Sequence, residues 1–223
     1  MERQEEFNAN VSHELRTPIA VMHAQCQVSR EVAEKKQDKE AIKSIEVFER
    51  QTNRMKNLVD QLLQMTAIDR KGTTFSIEDI DVRDVIESAC EDIAYIDTKH
   101  ITFEYSLQPT IIQANMNLIY IVINNLLSNA VKYSNEGAKI YVSCGEKDGK
   151  SYIRIQDEGC GIEKENISKI FESFYREKKD RNAEGFGLGL SQAMKIAELY
   201  GGGIYVESTK NKGSIFTFFI PKP

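Results

Sequence analysis

Between Ile45 and Thr66 the chain carries Ile45, Phe48, Thr52, Met55, Val59, Leu62 and Thr66 at alternating steps of three and four, with Leu58, Leu63 and Met65 widening the stripe. A pattern held at that period is one face of an α-helix, and an apolar face of that length has to be covered by further helices. A second helical pattern precedes it over residues 2 to about 34, polar with sparse apolar positions at Phe7, Val11, Leu15, Ile19 and Met22. Pro18 lies inside it and is expected to kink the helix. The link Glu34-Lys35-Lys36-Gln37-Asp38 is short and polar, so the two segments read as an antiparallel hairpin. Two helices alone bury too little core to be stable, which predicts that the hairpin pairs with a second copy into a four-helix bundle.

After Asp69-Arg70-Lys71-Gly72 the period turns from helical to mixed, which places a domain boundary there: residues 1–70 form the helical part and 71–223 an α+β part. Strands are predicted over Thr73–Ile77, Ile101–Ser106, Thr110–Ala114, Lys139–Cys144, Tyr152–Gln156, Gly203–Glu207 and Ser214–Ile220. Asp148-Gly149 marks a hairpin turn. Helices are predicted over Val82–Ile96 with Asp81 as N-cap, Met116–Tyr133, a short piece near Ile167–Phe171, and Leu188–Tyr200, ended by Gly201–Gly203. Residues 177–184 hold almost nothing apolar and are expected to form a mobile loop.

With 41% hydrophobic residues the 223-residue chain can build a proper core. Its 28% charged residues mix both signs to a net charge of -5, so neither nucleic acid nor an anionic membrane is indicated as the main partner. No apolar run approaches the ~18 residues needed to span a bilayer, and the charged start does not suit a signal peptide. The expected location is cytoplasmic, with any membrane anchor in segments absent from this chain. Cys26, Cys90, Cys144 and Cys160 lack metal or disulfide spacing and are expected to be small buried or half-buried thiols.

Five clusters bear on chemistry. In Asn10-Val11-Ser12-His13-Glu14-Leu15-Arg16-Thr17-Pro18-Ile19, His13 and Thr17 share a helix face, and Glu14 adjoins the imidazole, where it can hold one ring nitrogen and leave the other nucleophilic. On the helix 116–133, Asn125, Asn129 and Tyr133 recur every fourth residue with Lys132 alongside. Ile119, Ile123, Leu126, Leu127 and Ala130 line the other side. Asparagine carbonyls suit Mg²⁺, although two Asn on an exposed face are as a rule merely solvated. Asp157-Glu158-Gly159-Cys160-Gly161-Ile162 follows a strand: a carboxylate there can accept from an exocyclic amine such as that of adenine, while the pattern alone also fits an ordinary turn. Phe171, Phe174, Tyr175 and Arg176 form an aromatic cluster of the kind that usually anchors a loop. Gly185-Phe186-Gly187-Leu188-Gly189-Leu190-Ser191 opens the last long helix, where unencumbered N–H groups and the helix dipole face an anion. It is not a dinucleotide fingerprint, since Leu190 replaces the third glycine. Gly149-Lys150-Ser151 lacks the first glycine of a Walker A motif.

In their order and spacing these clusters resemble the phosphoacceptor box and the N, first glycine, F and second glycine boxes of sensor histidine kinases, over essentially the whole chain. The resemblance implies a dimeric helical-hairpin domain followed by the two-layer α+β sandwich shared with gyrase, the heat-shock protein 90 chaperones and the MutL repair proteins. By position it implies Asn129 as Mg²⁺ ligand, Asn125 as its helical companion, Asp157 as adenine anchor and Tyr133 as an adenine-side wall. Lys132 and Arg176 become phosphate contacts, and Gly185, Gly187 and Gly189 the lid hinge. Gly159, Gly161, Ile162, Leu188 and Leu190 complete the implied nucleotide site. Phe186 and Asn115 depart from the pattern, the latter standing where an acidic residue often opens the helix.

The expected function is ATP-dependent, Mg²⁺-dependent phosphorylation of His13. Transfer to an aspartate of a response-regulator receiver domain follows, with Thr17 serving a phosphatase reaction. The competing readings are an ATPase of the gyrase or chaperone type and a non-catalytic docking scaffold. The stimulus and the cognate regulator are not written in this stretch.

Overall fold

The computed structural model describes residues 2–69, 75–177 and 186–222, with side chains described from Pro18 onward in the first helix and up to Ile68 in the second. The chain divides into two compact units, Met1–Thr73 and Thr74–Pro223.

The first unit is a hairpin of α1 (Glu2–Lys35) and α2 (Lys39–Asp69). The α1 helix runs on through Pro18 as one element. The turn between them is closed by Asp38, whose Oδ1 accepts from Ala41 N at 3.0 Å, and by Gln37 in the left-handed region at φ 55°. Arg30 fixes the pairing: its guanidinium donates to Glu49 Oε2 at 2.5 Å, Glu46 Oε1 at 3.3 Å and Glu34 Oε1 at 3.2 Å. Ile19, Ala33, Thr52 and Met65 are buried in the hairpin. Phe48 is 67% exposed, and Met55 and Leu62, one and two heptads further on, are exposed on the same helix, as are Val21, Val28 and Val32 on α1. Of the predicted stripe, Phe48, Met55 and Leu62 are therefore left open while the other positions are buried or half-buried.

The second unit layers three helices on a mixed sheet. Its elements are β1 (Glu78–Asp81), α3 (Val82–Ile96), β2 (Thr102–Leu107), β3 (Ile111–Ala114), α4 (Met116–Tyr133), β4 (Lys139–Lys147), β5 (Lys150–Asp157), α5 (Gly189–Leu199), β6 (Gly203–Thr209) and β7 (Gly213–Pro221). The main sheet has the order β2-β4-β5-β7-β6, with β2 and β4 parallel and the other pairs antiparallel; β1 and β3 form a separate antiparallel pair. Alternation sets the two faces. Ile140, Val142, Cys144, Ile153, Ile155, Phe216, Phe218 and Ile220 are buried, as are Ile119, Val122, Ile123, Leu126, Leu127 and Ala130 of α4. Each Val, Leu, Ile or Phe side chain among them contributes roughly 1.5–3 kcal/mol on burial. On the outer face Tyr205 stacks on Phe219 with centroids 4.6 Å apart, and Lys150 lies over the Phe219 ring at 4.3 Å.

Several local expectations meet the structure directly. Asp81 caps α3, accepting from Arg83 N at 3.0 Å. The β4–β5 turn is Asp148-Gly149, with φ 51° and 71°, as a two-residue hairpin with both residues left-handed requires. Asn115, despite lacking a charge, caps α4 by accepting from Leu118 N at 3.2 Å.

Others are corrected. The strand predicted over Thr73–Ile77 is not there: residues 75–77 are irregular, 73–74 lie outside the described residues, and β1 begins at Glu78. Burying Ile80 opposite Ile112 decides the register, while Ser76 is held by Asn115 Nδ2, which donates to its carbonyl at 3.1 Å and hydroxyl at 3.0 Å. The short helix near 167–171 is two 3-10 turns, Lys164–Asn166 and Lys169–Phe171. Cys90 and Cys144 are buried and Cys26 half-buried, but Cys160 is exposed, because the glycines on either side turn their backbones inward. Of the loop expected over residues 177–184, all but Glu177 lies outside the described residues.

Candidate nucleotide site

The second unit brings three of the sequence clusters to the same part of the fold through α4. Asn125 and Asn129 are half-buried on its polar side, and Lys132 and Tyr133 occupy its last turn, with the Lys132 ammonium 4.9 Å from the centre of the Tyr133 ring.

At the C-terminal end of α4 the Asp157 loop closes against the backbone. A Cβ on Gly159 would stand 2.4 Å from Tyr133 O, so only glycine lets the two chains approach, and Cys160 N donates to the same carbonyl at 3.3 Å. Gly161 has φ 62° and would meet Thr209 O at 2.1 Å, which excludes any side chain twice over.

Asp157 is 5% exposed at the end of β5. Its Oδ1 accepts from Gly159 N at 2.8 Å and from Ser214 N at 3.2 Å. Burial pushes its carboxyl above the ordinary carboxylate range, and the two N–H donors oppose that shift. The β6–β7 hairpin supports the loop from below: Asn211 N donates to Cys160 O at 2.7 Å, Ile162 N donates to Ser208 Oγ at 2.8 Å, and Lys210 pairs with Glu163. Ser208 Oγ also donates to Gly213 O and lies 3.0 Å from Ser214 Oγ.

Nearer its middle, α4 meets the start of α5. A Cβ on Gly189 would lie 2.7 Å from Asn125 Oδ1, and Asn125 Nδ2 donates to Gln192 Oε1 at 3.3 Å. Gly187 O accepts from Phe174 N at 2.9 Å, tying the aromatic segment to this helix start. Leu188 is 1% exposed, its backbone included, whereas Leu190 and Arg176 are half-buried. Gly185 lies outside the described residues.

His13, Glu14 and Thr17 lie on the α1 backbone of the first unit, and their side chains are outside the described ones. Ser208, Ser214 and Gln192 were not anticipated as site residues. Ser214 reaches Asp157 across 57 positions of sequence, and no local signal marks such a contact.

Among the described residues no three His, Cys, Asp or Glu side chains converge as a metal cage. The Asn125 and Asn129 amides on α4 are neutral oxygen donors, a type that suits a hard cation sharing its shell with phosphates and waters.

Residues 3–71 match the family described as His Kinase A (phospho-acceptor) domain, and residues 114–223 the family described as Histidine kinase-, DNA gyrase B-, and HSP90-like ATPase. The sensor histidine kinase WalK of Bacillus subtilis is 34% identical across 99% of the chain, and the sensor protein RprX of Bacteroides fragilis is 32% identical across 99%. The chain spans 37% and 44% of those two relatives' lengths. Among solved structures, an Acinetobacter baumannii histidine kinase, AdeS, superposes with TM-score 0.66 at 25% identity, covering 94% of this chain and 97% of its own. Full-length ShkA superposes with TM-score 0.82 over 97% of this chain and 45% of its own; at 22% identity that likeness shows the fold alone.

Proposed function

Because the chain belongs to the sensor histidine kinase family, a phospho-acceptor domain followed by an ATPase-type domain, we propose that it moves the γ-phosphoryl group of ATP onto His13 and then onto an aspartate of a response-regulator receiver domain. The observation that supports this best is the junction at α4, where Gly159 packs on Tyr133 O and Gly189 on Asn125, beside the buried Asp157. The adenine amine would donate to Asp157, whose two backbone donors both reach Oδ1. Lys132, Arg176 and the start of α5 would face the phosphates, with Asn129 holding Mg²⁺. When bound, Mg²⁺ would neutralise phosphate charge and align the γ-phosphoryl group for in-line displacement.

In the transfer, a His13 ring nitrogen forms a bond to the γ-phosphorus as the bond to the β–γ bridging oxygen breaks, and ADP leaves. Glu14 takes the proton from the other ring nitrogen. Position and charge neutralisation supply most of the acceleration. In the opposing phosphatase reaction Thr17 would position the water that attacks the regulator's phospho-aspartate, releasing inorganic phosphate and the free aspartate; equal decay of that species with parent and Thr17→Ala protein would remove this role.

The open seam of Phe48, Met55 and Leu62 supports a homodimer, since apolar positions at heptad spacing are covered when a second hairpin packs on them. The experiment is labelling from γ-labelled ATP. An acid-labile, alkali-stable label is expected on the parent and none on His13→Gln, while nucleotide affinity persists. His23 and His100 serve as internal controls. A parent-level label on His13→Gln would refute the acceptor, and nucleotide turnover without any label would return the chain to the gyrase-type ATPases.

A further inference from the structure

A helix ends with four backbone carbonyls that have no partner within it. In α4 those of Val131, Lys132, Tyr133 and Ser134 are all taken, three of them by one side chain. Lys99, in the connection between α3 and β2, donates from Nζ to Val131 O at 2.9 Å, Lys132 O at 2.7 Å and Ser134 O at 2.8 Å. Three N–H bonds are all that an ammonium has, and here each is spent on a carbonyl. The fourth carbonyl, Tyr133 O, receives Cys160 N from the Asp157 loop.

The connection itself is held. Asp97 accepts from Lys99 N at 2.9 Å and Ile101 N at 2.7 Å, and Lys99 O accepts from Gly137 N at 2.7 Å beyond the helix end. The ammonium also places positive charge at the negative end of the helix dipole. Its three acceptors flank Tyr133 O, which packs so closely on Gly159 that any Cβ there would clash with it.

We infer that Lys99 is a positioning residue of the nucleotide site, holding the last turn of α4 so that Lys132, Tyr133 and the Asp157 loop keep their mutual geometry. The inference rests on the nucleotide reading above. It adds a residue with no place in the sequence clusters and no contact of its own with the ligand. A guanidinium is planar and cannot aim three N–H bonds from one nitrogen at three converging carbonyls, so arginine is a poor substitute.

The test compares parent, Lys99→Met and Lys99→Arg in the full chain, measuring Mg-ATP and Mg-GTP affinity by calorimetry, the KM and kcat of labelling, and ligand-free melting. Lys99→Met is expected to bind Mg-ATP about tenfold more weakly, the scale of a single charged hydrogen bond because the loss reaches the ligand only through the α4 end, with a narrowed ATP over GTP preference, a raised KM and a near-parental kcat. Lys99→Arg, which keeps the charge and guards against a Met variant that does not fold, is expected to show the same KM effect in lesser degree. A lowered melting temperature with parental affinity and preference in either folded variant would overturn the inference. A parent that binds no nucleotide would instead remove the reading on which it rests.

Discussion

Asp157 is a carboxylate placed where folding alone would not put a charge. Burial raises its folded pKa above the unfolded value, so between those two values the native state binds more protons than the unfolded one. The ligand-free protein is therefore expected to lose stability as pH rises through that window and to level off above it. Asp157→Asn keeps an oxygen for Gly159 N and Ser214 N but carries no charge. It is expected to raise ligand-free melting at neutral pH by a few degrees, to flatten this part of the pH dependence, and to lose ATP over GTP preference. Melting curves from pH 4 to 8 check the first two, and a variant less stable than the parent at pH 8 would contradict the burial argument. Such a trade is expected where a site needs a buried charge.

Among elements, the helical hairpin most clearly needs something beyond itself. Arg30 sets the register of α1 on α2, yet Phe48 is left 67% exposed with Met55 and Leu62 below it. Phe48→Glu puts a charge into the proposed seam without touching the buried positions. It is expected to turn the proposed dimer into monomer at micromolar concentration with helix content retained, as read by sedimentation equilibrium and circular dichroism. An unchanged dimer would place the contact elsewhere. The small sheet teaches a different lesson about elements. In the β-prone run predicted as a strand, the described residues Phe75-Ser76-Ile77 are irregular and the strand is Glu78–Asp81, whose local propensity is poor, because Ile80 has Ile112 to pack against.

At the level of the whole chain, the proposed acceptor and nucleotide residues lie in separate compact units, so the two proposed activities should separate by mutation. Asn129→Ala removes a half-buried polar side chain, and is expected to abolish Mg²⁺-dependent ATP binding while leaving stability within ~1 kcal/mol and the dimer intact. Calorimetry showing parental Mg-ATP affinity would dismiss Asn129 as the metal ligand. The division was legible because the apolar period changes near Gly72, and α3 and α4 were legible to the residue because caps and apolar faces are local signals. The residues proposed for the His13 box, the Asn face, the Asp157 loop and the glycine-rich helix start stand in short runs, each on one piece of backbone. What binds those clusters to one another was not. Ser208, Ser214, Gln192 and Lys99 act from 46, 57, 67 and about 33 positions away from the groups they hold. Their hydrogen bonds exist because the sheet order sets the β6–β7 turn beneath the loop and because two helix ends meet. Sequence determined the elements and the chemical groups through short-range sterics and periodicity; only tertiary structure decided which backbone donors a buried carboxylate receives, since that depends on how distant strands are ordered.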